Sequence, residues 1–166
     1  MADRSGTDAA EFDLEGFLPF LLSVASNRVS RLFAERYSDA FGLSIPEWRA
    51  LAVIGHANAR GMRPTASEVA QRSGMDKAKV SRAVATLTRR GLIDRGVAGA
   101  DRRQQPLSLS GEGQTVHRGV VPLAITLEAD LLAGLAPPER DLLRRLLQDL
   151  ARRASCQGRA MGDGPD

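Results

Sequence analysis

The 166-residue sequence predicts a mainly α-helical protein with one small β-hairpin, organised as a helix-turn-helix set between helical arms. Three observations carry that reading. Ser44-Ile45-Pro46-Glu47 and Thr65-Ala66-Ser67-Glu68 fit capping boxes, in which a hydroxyl takes an orphan backbone N–H and the glutamate reaches back. Gly74 separates two short helical patterns by no more than a tight turn. The runs LIDR and PLSLS are β-compatible, and the polar, glycine-containing VAGADRRQQ between them reads as a long hairpin tip.

Residues 1–10 are expected to be disordered. A helical pattern then runs from Glu11 to about Phe41, with Leu14, Phe17, Leu18, Leu21, Leu22, Ala25, Val29, Leu32, Phe33 and Tyr37 mostly three or four apart. Pro19 lies within its first turns, so this helix either starts nearer Phe17 or kinks there, and Gly42 stops it. Ser44 opens the next helix, which is expected to bury Leu51, Val53 and Ile54 and to end before Gly61. The short ASEVAQRS helix stops at Gly74, and DKAKVSRAVATLTRR follows at once and closes at Gly91. Beyond the hairpin, Ser110 caps a helix that Gly119 and Pro122 weaken, so it is expected to bend or divide there. PPERDLLRRLLQDLARR is the last helix, with Leu142, Leu143, Leu146, Leu147 and Leu150 on one stripe. The Gly- and Asp-bearing residues 155–166 read as a flexible tail.

The charge is uneven. Residues 60–110 hold eleven Lys/Arg against four Asp/Glu, leaving twelve against sixteen in the rest of the chain. A basic middle between acidic arms suits a polyanion. That middle contains no aromatic residue, which argues against single strands, whose bases stack on aromatic platforms, and favours a duplex. Apolar stretches are too short and interrupted for a membrane span, and the polar, acidic N-terminus resembles no secretory signal, so a cytoplasmic protein is expected. The single cysteine, Cys156, excludes an internal disulfide, and His56 and His117 show no metal-ligand spacing. No metal, cofactor or catalytic motif is expected, so an enzyme is the poorest reading.

The DKAKVSRAVATLTRR helix explains the basic middle. Val80, Ala83, Val84 and Leu87 make a small apolar seam that packs closely, while Lys79, Arg82, Thr86 and Arg89 face outward with Lys77 and Ser81. Arg82 and Lys79 are the candidates for guanine O6 and N7, and Ser81, Thr86 and Thr88 for phosphates. Ser67 and Gln71 on the preceding helix are placed to fasten the backbone. The hairpin tip, Asp101-Arg102-Arg103, can reach a minor groove, with the carboxylate holding an arginine in a fixed pose. A charged face that is merely solvated is the bland alternative to each feature, and their succession favours the duplex. Trp48 reads as core or pocket wall, His56 as a satisfied structural histidine, and Cys156 as an incidental thiol.

The segments GLSIPEWRALAVIG (42–55), TASEVAQRSGMDKAKVSRAVATLTRRGLIDR (65–95) and DRRQQPLSLSGEG (101–113) resemble the MarR family of bacterial winged-helix regulators. The likeness spans about Phe12 to Arg153, with VSR…L..RGLI and D-x-R-x-x-x-L-x-L-S-x-x-G as its most specific motifs. It implies a winged helix-turn-helix over 43–109 and a helical dimerisation region formed by 11–42 and 110–154. It further implies a homodimer whose two recognition helices and wings read a pseudo-palindromic operator. The family's wing aspartate and arginine correspond to Asp101 and Arg103, and the intervening Arg102 leaves open which arginine enters the minor groove.

Regulation by a small aromatic acid or its CoA thioester is a further implication, since many family members bind such ligands in a cleft between the two regions. Asn27, Arg28, Arg31, Trp48, Arg49 and His56 are the candidate lining. Arg28 either pairs with a ligand carboxylate or bridges to Glu35 or a subunit partner. A regulator or activator without an effector is the alternative. Thiol-based redox sensing is disfavoured, because peroxide-sensing members carry a reactive cysteine near the first helix and this chain has none there. A protein–protein adaptor is disfavoured by the basic outward face.

Overall fold

The computed structural model describes residues 12–96 and 105–162. The expected disorder of 1–10 falls outside them. The order is α1 (Leu18–Phe41), α2 (Ile45–Asn58), α3 (Ala66–Ser73), α4 (Lys77–Arg89), β1 (Ile93–Arg95), β2 (Leu107–Leu109), α5 (Gly111–Leu131) and α6 (Pro137–Gly162). The fold is mainly α with one antiparallel hairpin, as the sequence predicts.

Local chemistry sets most boundaries. Helix α1 starts at Leu18 rather than at Glu11, because Pro19 fits the first turn, where its missing N–H removes no helical bond. It ends at Gly42, whose φ of 61° is the left-handed conformation that glycine adopts most easily. Glu47 accepts the Ser44 N–H at 2.9 Å at the start of α2. At the start of α3 the exchange is reciprocal: Thr65 donates its N–H to Glu68 at 2.7 Å, and Glu68 returns its own to the threonine hydroxyl at 3.3 Å. The Thr65 N–H, and next its hydroxyl, which donates to the same oxygen at 3.0 Å, hold the Glu68 carboxyl below its ordinary pKa.

The chain forms two compact units that divide between Leu123 and Ala124. In the first, α2 packs against α3, α4 and β2, and α3 against α4. Leu43, Leu51, Ile54, Val69, Val80, Val84, Leu87, Ile93 and Leu107 form its core, joined by Tyr37 from α1 and Val120 from α5. Val53, expected inside, is only half-buried, because Ala50, Leu51, Ile54 and Ala57 occupy the inward stripe of α2. The early part of α1 leaves Leu18, Leu21 and Leu22 exposed.

Two expectations in the second half of the chain need correction. Helix α5 is not divided at Gly119 or Pro122 and runs as one helix to Leu131. A proline removes only one helical hydrogen bond, and the helix continues around it. Helix α6 runs past Ser155 to Gly162, so the expected flexible tail is helical over 155–162. No proline intervenes there, and the Ser155 hydroxyl bonds back to the Ala151 carbonyl at 2.9 Å. The α6 leucines at 142, 143, 146, 147 and 150 are each at least 36% exposed, so no described residue buries that stripe fully.

The hairpin pairs Ile93 with Leu109, Asp94 with Ser108 and Arg95 with Leu107. Asn58, at the last position of α2, clips it to the core. Its Nδ2 donates to the Met62 carbonyl at 2.9 Å and the Leu107 carbonyl at 3.4 Å, and its Oδ1 accepts the Leu109 N–H at 2.8 Å. Asn58→Ala leaves the Leu109 donor unpaired, and stability is expected to fall by about 1–3 kcal/mol. A urea titration checks this; an unchanged midpoint would remove the clip.

Candidate nucleic-acid interface

Helix α4 owes its start to Asp76, whose Oδ1 accepts the Lys79 N–H at 2.7 Å, a bond that lowers the carboxyl's pKa. Val80, Ala83, Val84 and Leu87 are buried on the inward side, as the apolar seam predicts. Lys77, Lys79, Ser81, Arg82 and Arg89 are exposed, and Thr86 is half-buried. Ala78, Arg82, Ala85 and Arg89, spaced by four, three and four, share the outward stripe opposite the seam.

The exposed cations are not equivalent. The Lys79 ammonium turns back onto its own helix cap, 3.2 Å from Asp76. Arg89 donates to the Thr86 hydroxyl at 3.0 Å. Arg82 has no ion pair or side-chain hydrogen bond among the described residues, so its planar donor fork is available. Thr88, expected to bond phosphate, is half-buried and donates its hydroxyl to the Val84 carbonyl at 2.8 Å. A threonine on a helix readily bonds the carbonyl four residues back, and here that geometry prevails.

A cleft of about 530 Å³ opens on one side of α4, and Ser67, Lys77, Ser81, Arg95 and Gln105 line it. On the other side a groove of about 280 Å³ lies among Ser44, Pro46, Glu47, Lys79, Arg82 and Thr86. Ser67 and Gln71 are both exposed on α3. The surface is thus a helix face of hydrogen-bond donors between two recesses, suited to a polyanion with a ridged outline. Asp101, Arg102 and Arg103 lie outside the described residues.

Arg95 and Arg90 were missed by sequence reasoning. Arg95 pairs with Leu107 across the hairpin and sits two residues from buried Ile93, so strand alternation puts it on the inward face, a signal the sequence did carry. Arg90 donates to the carbonyls of Gly42 and Phe41 at 2.9 and 2.8 Å and lies 3.7 Å from Glu47. It ties the end of α4 to the junction of α1 and α2, and nothing in the sequence marks it apart from its neighbours.

The candidate effector residues separate. Asn27, Arg28 and Arg31 are exposed on α1, and no Arg28–Glu35 bridge forms. Arg49 reaches back to α1 and donates to the Ser30 hydroxyl at 2.7 Å. Trp48 packs between Tyr37, with ring centroids 5.9 Å apart, and His117 of α5, at 6.1 Å. Burial raises the Tyr37 pKa, partly offset by the Arg49 charge. His56, expected to be structural, is exposed and its Nδ1 lies 3.0 Å from Arg60 Nη1. Its side of α2 points away from the core, and the histidine that packs on Trp48 is His117, whose pKa burial pushes down. Cys156 is exposed on α6. Among the described residues no cluster of His, Cys, Asp or Glu could hold a metal ion, and no helix is long and apolar enough to cross a membrane.

A helix-turn-helix with a donor-rich outward helix and an adjoining hairpin defines a winged-helix DNA-binding transcriptional regulator. The MarR family sequence model matches residues 41–104. The chain is 30% identical to a MarR family transcriptional regulator from Silicibacter pomeroyi DSS-3, covering 84% of this chain and 99% of that one with a TM-score of 0.67. The chain belongs to the MarR family, whose members are transcriptional regulators and not enzymes. A MarR/EmrR family regulator from Acinetobacter sp. ADP1 shares the fold at TM-score 0.76 and 24% identity, over 87% of this chain and 99% of that one. So does the PcaV regulator from Streptomyces coelicolor, solved with its natural ligand, at TM-score 0.69, 24% identity and the same coverage. No curated protein matches the chain.

Proposed function

We propose that the protein is a cytoplasmic homodimeric repressor that reads a pseudo-palindromic duplex operator and is released by a small aromatic carboxylate or its CoA thioester. The outward stripe of α4, with Arg82 unengaged at its centre, is the observation that carries the reading. In the major groove, Arg82 donates in bidentate fashion to guanine O6 and N7. Lys77, Lys79, Ser81, Thr86 and Arg89 position the helix on the flanking phosphates, with Ser67 and Gln71 on the approach side. Asp101, Arg102 and Arg103 at the wing tip extend the contact into the minor groove. The exposed leucine stripes of α6 and α1 support a dimer, since two such helices bury each other's apolar faces.

Support for an effector is chemical. The half-buried rings of Trp48 and His117 lie beside buried Tyr37, which feels the charge of the Arg49 guanidinium, a grouping of ring and cation suited to an aromatic acid. The PcaV regulator was solved with its natural ligand, and the fold is shared. Release follows if the ligand favours a spacing of the two recognition helices that the operator does not fit.

Fluorescence anisotropy on the DNA just upstream of the protein's own gene tests both parts. Aromatic acids and their CoA thioesters are then added to the preformed complex, with release expected at micromolar levels. In the same assay Arg82→Ala is expected to weaken operator binding by about 10- to 100-fold while barely changing affinity for random duplex. Equal loss on both duplexes would reassign Arg82 to a phosphate.

A further inference from the structure

We infer that the cleft between α3, α4 and the base of the hairpin seats one backbone phosphate of the duplex, with Arg95 as its principal ligand and Thr88 as the residue that holds Arg95 in place. The inference rests on the DNA-binding reading above and assigns a role to two residues which that reading leaves idle.

Arg95 occupies an inward position of β1, in register with buried Leu107, at the end where the apolar core gives out. Its guanidinium, though exposed, reaches toward Thr88 of α4. Nε donates to the Thr88 hydroxyl at 3.4 Å, and that hydroxyl is itself fixed by donating to the Val84 carbonyl at 2.8 Å. The arginine is thus oriented before any ligand arrives, which reduces the ordering cost of binding. Ser67 from the first turn of α3, Lys77 from the first turn of α4, and Ser81 one turn further on line the same cleft. Two cations and two hydroxyls converge there, and no carboxylate lines the cleft among the described residues. The floor is apolar, formed by Val84 and Leu107, and suits the sugar that flanks a phosphate.

The cleft's location sets its purpose. It lies between the helix that reads bases and the base of the hairpin, so a phosphate seated there fixes how far the paired strands stand from α4. Binding at this seat is independent of sequence, because a phosphate carries none. Arg95 and Arg82 therefore fail differently. Loss of Arg82 erodes discrimination, whereas loss of Arg95 weakens every duplex alike.

The test is an anisotropy titration across salt concentrations, with operator and random duplexes of equal length. For Arg95→Gln the slope of log affinity against log salt is expected to become shallower by about 1 for each Arg95 in the complex, with the same fold-loss on both duplexes. Thr88→Val is expected to reproduce that change without altering the far-ultraviolet circular dichroism, and Thr88→Ser to restore it. In wild type, a neutral methylphosphonate at one operator position should weaken binding; in Arg95→Gln the same replacement should add nothing. An unchanged slope in Arg95→Gln with normal wild-type binding removes the seat alone. A wild type that binds no duplex in a salt-dependent way removes the DNA reading and the seat together. A Thr88→Ser protein that stays as weak as Thr88→Val removes Thr88 from the arrangement.

Discussion

Leu146→Glu is expected to dissociate the proposed homodimer into monomers and to lower operator affinity by about 10²- to 10⁴-fold. Helix α6 carries leucines at 142, 143, 146, 147 and 150, all substantially exposed in the isolated chain, and Leu146 is the most exposed at 51%. A contiguous apolar stripe of that length, exposed on one chain, supports the proposed interface between copies. In the proposed dimer a carboxylate at its centre would be buried against the partner's apolar face, in surroundings poor in water. Each monomer would keep its folded DNA-binding unit, because the core of that unit contains no α6 residue. It would lose the second half-site, and with it the effective concentration that tethering supplies. Light scattering and anisotropy on the same samples check both halves. A variant that stays dimeric, or a monomer that still binds the operator tightly, would refute the proposed interface.

Gly113→Ala is expected to cost about 1–3 kcal/mol and to lower the melting temperature by about 5 °C or more. A methyl group on Gly113 would lie 1.9 Å from the Leu92 carbonyl oxygen and 2.9 Å from its carbon. Both are backbone atoms, so no side-chain rotation relieves the overlap. The first turn of α5 is pressed against the entrance to β1 there. The Ser110 hydroxyl donates to the Gly91 carbonyl at 2.6 Å and accepts the Gly113 N–H at 3.0 Å. Alanine would otherwise favour the helix by about 1 kcal/mol, so the measured loss understates the clash. Gly111→Ala is the control: nothing lies within 4 Å of its methyl position, and no loss of stability is expected. Equal melting temperatures for the two variants would show that the junction yields more easily than its geometry implies.

The residues divide by the distance over which their chemistry acts. The glutamates of the two capping boxes and the seam of α4 were legible because each partner lies within one or two helical turns. Gly42 and Gly74 were legible for the same reason: a left-handed residue ends a helix wherever it occurs. The recognition-helix motif of the family lies in this part of the chain, inside the 41–104 that the family model matches. Composition misled at the C-terminus, where glycine and aspartate suggested a loose tail but α6 continues to Gly162.

Sequence by itself thus determined the helices, the hairpin, the identity of the basic helix and which of its sides faces inward. These follow from interactions between residues three or four apart, which form whenever those residues are helical. Tertiary structure decided the remainder. Asn58 meets Leu109 across 51 residues, and Arg90 meets Phe41 across 49. Only the fold selects His117 over His56 as the histidine against Trp48, and only the fold turns Thr88 from a surface donor into the support of Arg95. Such roles depend on how separate elements pack, and a polar side chain on a helix carries no mark of the neighbour that packing will bring to it.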